Sequence, residues 1–185
     1  FKPGSVFINN EFYNSYMPSW KDINYLPNNK YNKEELNMRL TNAVLSHTLS
    51  DVPIGILLSG GLDSSLIASI MCKLKKDKLI NNEIKTFTIG FENASDILAD
   101  DKVADHIDSD HTAYIFTKED GLEAIKDIIY YLETYDITTI RASIPMYLLT
   151  REIKNDTNIK VLLSGEGSDE LFGGYLYFHK APNKE

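Results

Sequence analysis

Short, uninterrupted apolar runs alternate along the chain with longer segments in which apolar residues recur at helical spacing. Continuous apolar runs suit parallel strands that are covered on both faces, and their alternation with helices is typical of α/β domains. We therefore predict an α/β fold with a doubly wound, mainly parallel sheet and helices on both faces. The strand-length runs are IGILL (54–58), KTFTIGF (85–91), HTAYIF (111–116) and IKVLLS (159–164).

The helices are marked by their ends as well as by their apolar faces. Asn32 followed by Glu35 is a plausible N-cap pair, and Pro53 stops the helix that begins there. Near Ser143 another helix is expected to start, with Pro145 in its first turn, where the missing N–H is harmless. Before the first helix, SVFINNEFY is predicted to be a short strand, and residues 9–33 an extended linker.

Composition narrows the class of protein only modestly. The net charge of −8 argues against a nucleic-acid surface, and no apolar run is as long as a membrane span. The single cysteine, Cys72, has apolar neighbours at helical spacing and is expected to be an inert core residue. These features predict a cytoplasmic protein that binds neither nucleic acid nor membrane.

The segment SGGLDSS (59–65), at the end of the first apolar run, combines glycine, carboxylate and hydroxyl residues and is the first candidate for a functional site. In open α/β sheets, ligands bind beyond the carboxyl ends of the strands. Glycines allow close backbone approach, and free N–H groups at a helix start attract phosphate oxygens. Asp63 would repel a phosphate unless a cation stands between them, which indicates a Mg²⁺ ligand. A tight turn with Asp63 or Ser64 as a helix cap is the alternative interpretation.

A second segment repeats this design at the end of the last apolar run. In VLLSGEGSDELFGGY (161–175), a strand again ends in Ser164-Gly165, and the carboxylates of Glu166, Asp169 and Glu170 follow. Carboxylates so close together repel one another unless a cation or protonation compensates. A solvated acidic loop would explain the charges, but not two matching strand endings in one sheet.

These residues carry a resemblance to a known family. SGGLDSS resembles the pyrophosphate-binding loop of the ATP pyrophosphatases, which have the adenine nucleotide alpha hydrolase-like, PP-loop fold. The segments ETYDITTIRASIPMYLLTREIK and VLLSGEGSDELFGGYLYFHKAP are similar to glutamine-hydrolysing asparagine synthetases. The resemblance covers most of residues 50–182. It implies that aspartate reacts with ATP to give β-aspartyl-AMP and pyrophosphate, and that ammonia then releases asparagine and AMP.

The resemblance also implies a role for individual residues. Asp63 and Asp169 would bind Mg²⁺, and Glu166 would act at the reaction centre, where a carboxylate suits a general base. Arg141, with Thr138 just before it, is similar to a segment that serves this centre; a salt bridge from Arg141 to Glu133 or Asp136 is the alternative. The expected ATP-binding residues are Leu57, Ser59, Gly60, Gly61, Asp63, Ser64, Ser65, Ile89, Ser164 and Gly165.

Two parts of the family enzyme have no counterpart in the sequence. Residues 1–30 are expected to be a linker from a missing N-terminal glutaminase domain. Residues 31–185 are expected to be the ATP-binding synthetase domain, truncated at its C-terminus. The expected partners are therefore aspartate, ATP and ammonia that the absent domain releases from glutamine, with a homodimer as the assembly. Two alternatives stay open: a β-lactam synthetase-like ligase, and a nucleotide-binding fragment without turnover.

Overall fold

The computed structural model describes residues 1–22, 24 and 30–180, and two compact units, residues 1–38 and 39–185, are described separately. In the first unit, strands β1 (Ser5–Ile8) and β2 (Glu11–Asn14) form an antiparallel hairpin. The expectation of one strand and a linker starting at residue 9 is therefore wrong. Asn9 and Asn10 both have positive φ, as a two-residue turn between strands requires. The rest of the predicted linker lies partly outside the described residues.

Four parallel strands form the sheet of the second unit, in the order β5-β4-β3-β6. They are β3 (Ile54–Leu57), β4 (Lys85–Gly90), β5 (Asp110–Ile115) and β6 (Val161–Leu163). All four strands lie where the apolar runs predicted them. The chain moves outward from β3 to β4 and β5, then returns to add β6 on the other side of β3.

Helices cover both faces of this sheet, which confirms the doubly wound fold. The helices are α1 (Lys33–His47), α2 (Leu62–Lys76), α3 (Ser95–Ile107), α4 (Lys118–Leu132), α5 (Ile137–Asp156) and α6 (Ser168–Phe172). On one face, Met71 and Leu74 of α2 and Ala104 of α3 pack with Ile56 of β3. On the other, Leu149 of α5 packs against the strands, and α4 packs on α5. None of the described helices is long and apolar enough to cross a membrane.

The start of α5 differs from the sequence prediction. The helix begins at Ile137 rather than near Ser143, so Pro145 lies inside it instead of in its first turn. Asp136 caps this earlier start: its carboxylate accepts hydrogen bonds from the Thr139 N–H and hydroxyl, both at 2.8 Å. These bonds lower the pKa of Asp136. The cap and the apolar packing of the helix therefore outweigh the proline, which removes one backbone hydrogen bond.

The contact between α4 and α5 gives the first testable prediction. Leu148 of α5 packs with Ala124 and Ile128 of α4 and is only 1% exposed, whereas Leu122 of α4 is 57% exposed. We expect Leu148→Ala to lower the free energy of unfolding by about 2–5 kcal/mol, because it leaves a cavity. As the matched control, Leu122→Ala should lower it by less than about 1 kcal/mol. Urea denaturation measures both; equal losses would contradict this packing.

Candidate functional site

The site lies where the order of the strands reverses. The chain leaves β3 toward β4, and β6 pairs with the other side of β3. In open α/β sheets such a switch point opens a crevice at the carboxyl ends of the strands. A cavity of about 270 Å³ is found there, and the segments after β3 and β6 both line it. The expected site residues in its wall are Leu57, Ser59, Asp63, Ser64, Ile89, Ser164, Gly165, Glu166 and Asp169.

The phosphate loop, defined as residues 58–61, is held by hydroxyl hydrogen bonds. The Ser59 N–H donates to the Ser64 hydroxyl at 3.0 Å, and the hydroxyls of the two serines are 2.9 Å apart. Ser65 donates from its hydroxyl to the Gly61 carbonyl at 2.6 Å. The first helical bond runs from the Ser65 N–H to the same carbonyl, so the preceding N–H groups lie at the open end of α2. Such groups suit phosphate oxygens.

Gly60 gives the loop its sharp turn. Its φ of +61° lies in the left-handed region, which strains residues that have a side chain. A Cβ at this position would also lie only 2.7 Å from both the Ala99 Cβ and the Asp100 Oδ1. The phosphate loop therefore packs directly on helix α3. The sequence alone did not point to this contact, because Asp100 has the appearance of an ordinary charged helix residue.

Gly165 lets the two strand-end segments touch. A Cβ there would lie 2.8 Å from the Ser64 nitrogen and 3.0 Å from the carbonyl carbon and Cβ of Asp63. The segment after β6 therefore lies against the first turn of α2 without an intervening side chain. Next to it, the Glu166 N–H donates to the Ser164 hydroxyl at 3.3 Å. The Ser164-Gly165 ending is thus in direct contact with the helix start that follows Ser59-Gly60.

Acidic side chains line the same cavity from both segments. Asp63 comes from the start of α2, and Glu166, Asp169 and Glu170 come from the segment after β6. Among the described residues, no group of three or more potential ligands is close enough to hold a metal ion. Mg²⁺ in nucleotide sites is commonly bound by one or two carboxylates together with phosphate oxygens and water. Asp63 and Asp169 fit that donor set, since both face the cavity that the phosphate loop borders.

Tyr175 is a cavity residue that the sequence analysis did not single out. Its hydroxyl donates to Glu170 Oε1 at 2.6 Å. This bond is the main cause of the lowered pKa of Glu170 and of the rise in the pKa of Tyr175 to about 12. Glu170 is thereby held as an anion whose lone pairs are partly engaged. The sequence shows Tyr175 at the end of the GGY segment, but only the fold shows that this residue lines the cavity.

Helix α5 forms the remaining wall through Ala142, Pro145, Met146 and Leu149. Arg141 and Thr138 are on the same helix but do not line the cavity. In the described part of the chain, Arg141 forms no ion pair with Glu133 or Asp136. The alternative of a structural salt bridge to those residues is therefore not observed. The sequence analysis missed this apolar wall because it placed the start of α5 near Ser143, six residues after the observed start at Ile137.

One wall of the cavity is built from the sheet itself. Leu57 of β3 and Ile89 of β4, two of the expected ATP-binding residues, line this wall, and both also pack in the apolar core. Phe87 and Thr88 of β4 line it as well and were not predicted. The Leu58 N–H is bonded to the Phe87 carbonyl at 2.8 Å, so the strands stay paired up to the cavity edge. This region is apolar, as a binding surface for a flat heterocyclic base requires.

Comparison with known protein families identifies the group to which this architecture belongs. The family model described as asparagine synthase matches residues 35–185. The chain belongs to the asparagine synthase family. It is 45% identical over 191 residues to an asparagine synthetase (glutamine-hydrolysing) of Triphysaria versicolor, covering 100% of this chain and 32% of that relative. It is 48% identical over 176 residues to asparagine synthetase B of Escherichia coli K12, and the match covers 91% of this chain and 32% of that relative. The chain thus spans about a third of the relatives' length.

Solved structures with low sequence identity share the fold. An NAD⁺ synthetase from Burkholderia pseudomallei superimposes with a TM-score of 0.53 at 11% identity, covering 78% of this chain and 67% of that chain. The U34-tRNA thiolase NcsA from Methanococcus maripaludis superimposes with a TM-score of 0.54 at 19% identity, covering 80% of this chain and 54% of that chain. The PP-loop, adenine nucleotide alpha hydrolase-like fold expected from SGGLDSS is therefore confirmed.

Adjacent glycines in the phosphate loop give a second testable prediction. Gly60→Ala should lower the free energy of unfolding by about 1–3 kcal/mol, because φ is positive and the new methyl group meets Ala99 and Asp100. Gly61 has a φ of −72° and would place its Cβ no closer than 3.5 Å to Ser59 Oγ. Gly61→Ala should therefore cost less than about 1 kcal/mol. Thermal and urea unfolding compare the two; the reverse order would contradict the loop geometry.

Proposed function

We propose that the chain is the nucleotide-binding, ligase part of a glutamine-dependent asparagine synthetase. The reaction would join aspartate to the α-phosphorus of ATP, release pyrophosphate, and then replace AMP by ammonia. The single observation that carries this proposal is the junction of the two strand-end segments. Asp63, Glu166 and Asp169 line the same cavity as Leu58 and Ser59 of the phosphate loop, which supports a site that takes phosphate together with a cation.

In this proposal, the loop and the start of α2 bind the pyrophosphate portion of ATP. Ser59, Ser64 and Ser65 supply hydroxyls, and Gly60 and Gly61 allow the backbone to approach the phosphates. Ser164 and Gly165 border the nucleotide from the other strand, while Leu57 and Ile89 contact the nucleoside. Such a loop retains β- and γ-phosphates as a leaving group, so it needs backbone N–H groups more than a lysine aimed at the γ-phosphate.

Mg²⁺ is part of the proposal because of the charges involved. Asp63 and Asp169 would hold it, and when bound it neutralises negative charge on the leaving pyrophosphate. Without a cation, two carboxylates beside a triphosphate would oppose binding. Glu166 is proposed to take a proton from the attacking nitrogen as it adds to the activated carbonyl. Arg141 and Thr138 are proposed to act at the same centre, although they lie outside the cavity wall in this structure.

The remaining proposals concern the longer polypeptide. Relatives about three times as long carry the description glutamine-hydrolysing, which supports ammonia delivery from a glutaminase domain that is absent from these residues. Residues 1–30 would then connect that domain to the synthetase domain, and residues 31–185 would form part of the latter. A cytoplasmic homodimer is the proposed assembly. No observation favours the β-lactam synthetase-like alternative over this function.

The metal role of Asp63 gives a third prediction. We expect Asp63→Asn to weaken the binding of ATP in excess Mg²⁺ by about tenfold or more, because the carboxylate no longer shares the cation with the phosphates. Binding of AMP without metal should change by less than about twofold. Titration calorimetry with both ligands measures the contrast. Equal losses for the two nucleotides would refute the metal-ligand role of Asp63.

The role of Glu166 gives a fourth prediction, tested in a chain extended to the length of the relatives. With aspartate, Mg-ATP and ammonium, the extended chain should form asparagine, AMP and pyrophosphate. Glu166→Gln should leave ATP affinity nearly unchanged and slow asparagine formation by about 10²–10⁴-fold, since it removes the proton acceptor. Glu119→Gln, on the exposed start of α4, is the matched control. Release of ADP and phosphate would instead indicate a different ligase reaction.

A further inference from the structure

Asp100 is a buried carboxyl group that the proposed reaction does not use. Its side chain is 0% exposed, in the middle of α3. Neither carboxylate oxygen has a hydrogen-bond partner. An ionised carboxylate in such a place has lost its hydration and gained no partner, so its charged form is strongly disfavoured. Buried polar groups without partners are rare, and this one needs a physical explanation.

The position of Asp100 supplies that explanation. Its Oδ1 lies against Gly60, on the side where a Cβ would otherwise stand. Behind the cavity wall it also neighbours Thr88, which lines the cavity. Asp100 thus contacts the loop at which nucleotide phosphates are proposed to bind, but it does not itself line the cavity.

We propose that Asp100 is a positioning residue of the phosphate loop, which supports Gly60 as an uncharged carboxylic acid and opposes phosphate binding when it ionises. The proposal rests on the proposed function, because it assumes that phosphates bind at residues 58–61. An ionised Asp100 would be a fully buried charge in contact with the loop that holds the phosphates, and like charges repel far more in a buried environment than in water. The loop would then select the protonated form of Asp100 whenever a nucleotide is bound.

The electrostatic surroundings agree with a proton on Asp100. The pKa of Asp100 is raised from 3.8 to about 6, mainly by burial, and the carboxylates of Asp96 and Asp101 on the same helix contribute to this rise. Thr88 of β4 offsets part of this rise, although it makes no hydrogen bond of ordinary geometry to the carboxylate. The phosphate loop contributes the backbone of Gly60, which does not ionise. In the part of the chain that the structure describes, no basic residue is among the groups that shift the pKa of Asp100.

The sign of the effect follows from linkage. Because the carboxyl pKa is raised on folding, the folded chain loses stability as the pH rises from the ordinary value of 3.8 to about 6, and the loss stays constant at higher pH. A bound phosphate would raise the pKa again. Nucleotide binding should therefore take up a proton above about pH 6, and affinity should fall with rising pH until the pKa of the complex is passed.

Asp100→Asn separates this role from a merely structural one, because the amide imitates the uncharged acid in shape and cannot ionise. From about pH 6 to pH 8, we expect the ATP dissociation constant of the unmodified chain to rise about tenfold more than that of Asp100→Asn. The difference between the two proteins cancels the titration of ATP itself. Asp105→Asn, an exposed change on the same helix, should follow the unmodified chain. Calorimetry of Mg-ATP binding in two buffers of different ionisation enthalpy measures the proton uptake directly.

A second measurement does not involve the nucleotide. Asp100→Asn should raise the unfolding temperature at about pH 8, and the gain should disappear near pH 4, where both proteins are uncharged at this position. Parallel ATP affinity curves would overturn the proposal even if this stability difference is found. A destabilised Asp100→Asn at pH 8 would overturn it as well. Failure of both proteins to bind Mg-ATP at every pH would instead refute the proposed function, and the inference with it.

Discussion

The structure depends on one close backbone contact, between the segment after β6 and the first turn of α2. Gly165 approaches Asp63 and Ser64 so closely that a single methyl group would not fit. This contact joins the two halves of the cavity, and it exists because β3 and β6 are neighbours in the sheet. A displacement of β6 by one residue would point its side chains to the opposite face and separate these segments.

The sequence predicted most of this arrangement, because its strongest patterns are local. Apolar runs located β3 to β6, and the two Ser-Gly endings located the site. The hairpin of residues 5–14 was missed, since an Asn-Asn pair between strands is a weaker turn signal than Asn-Gly. The start of α5 was missed because proline suggested a helix beginning, whereas a distant cap and tertiary packing decided it. Asp100 and Tyr175 were missed because only the fold brings them to the phosphate loop and the cavity.

The electrostatics of the site are unusual for a surface that is proposed to bind a triphosphate. The chain has 27 acidic residues against 19 basic ones. Within residues 1–22, 24 and 30–180, the cavity wall contains Asp63, Glu166, Asp169 and Glu170 but no lysine or arginine. Attraction of phosphate must therefore come from oriented backbone and hydroxyl dipoles and from a cation that accompanies the nucleotide. In the proposed function, a site of this kind would discriminate by metal content, because it would repel the free nucleotide and accept the metal complex.

The position of β6 in the chain has a consequence for biosynthesis. β6 pairs with β3 although about a hundred residues separate them, so this pairing closes a long loop that shorter-range contacts do not require. During translation, β3, β4 and β5 with their helices leave the ribosome well before β6 does. A nascent chain at that stage has the phosphate loop but lacks the opposite wall. If the cavity binds ATP as proposed, the nucleotide would assist folding only in the final step, when the last strand docks and the cavity is complete.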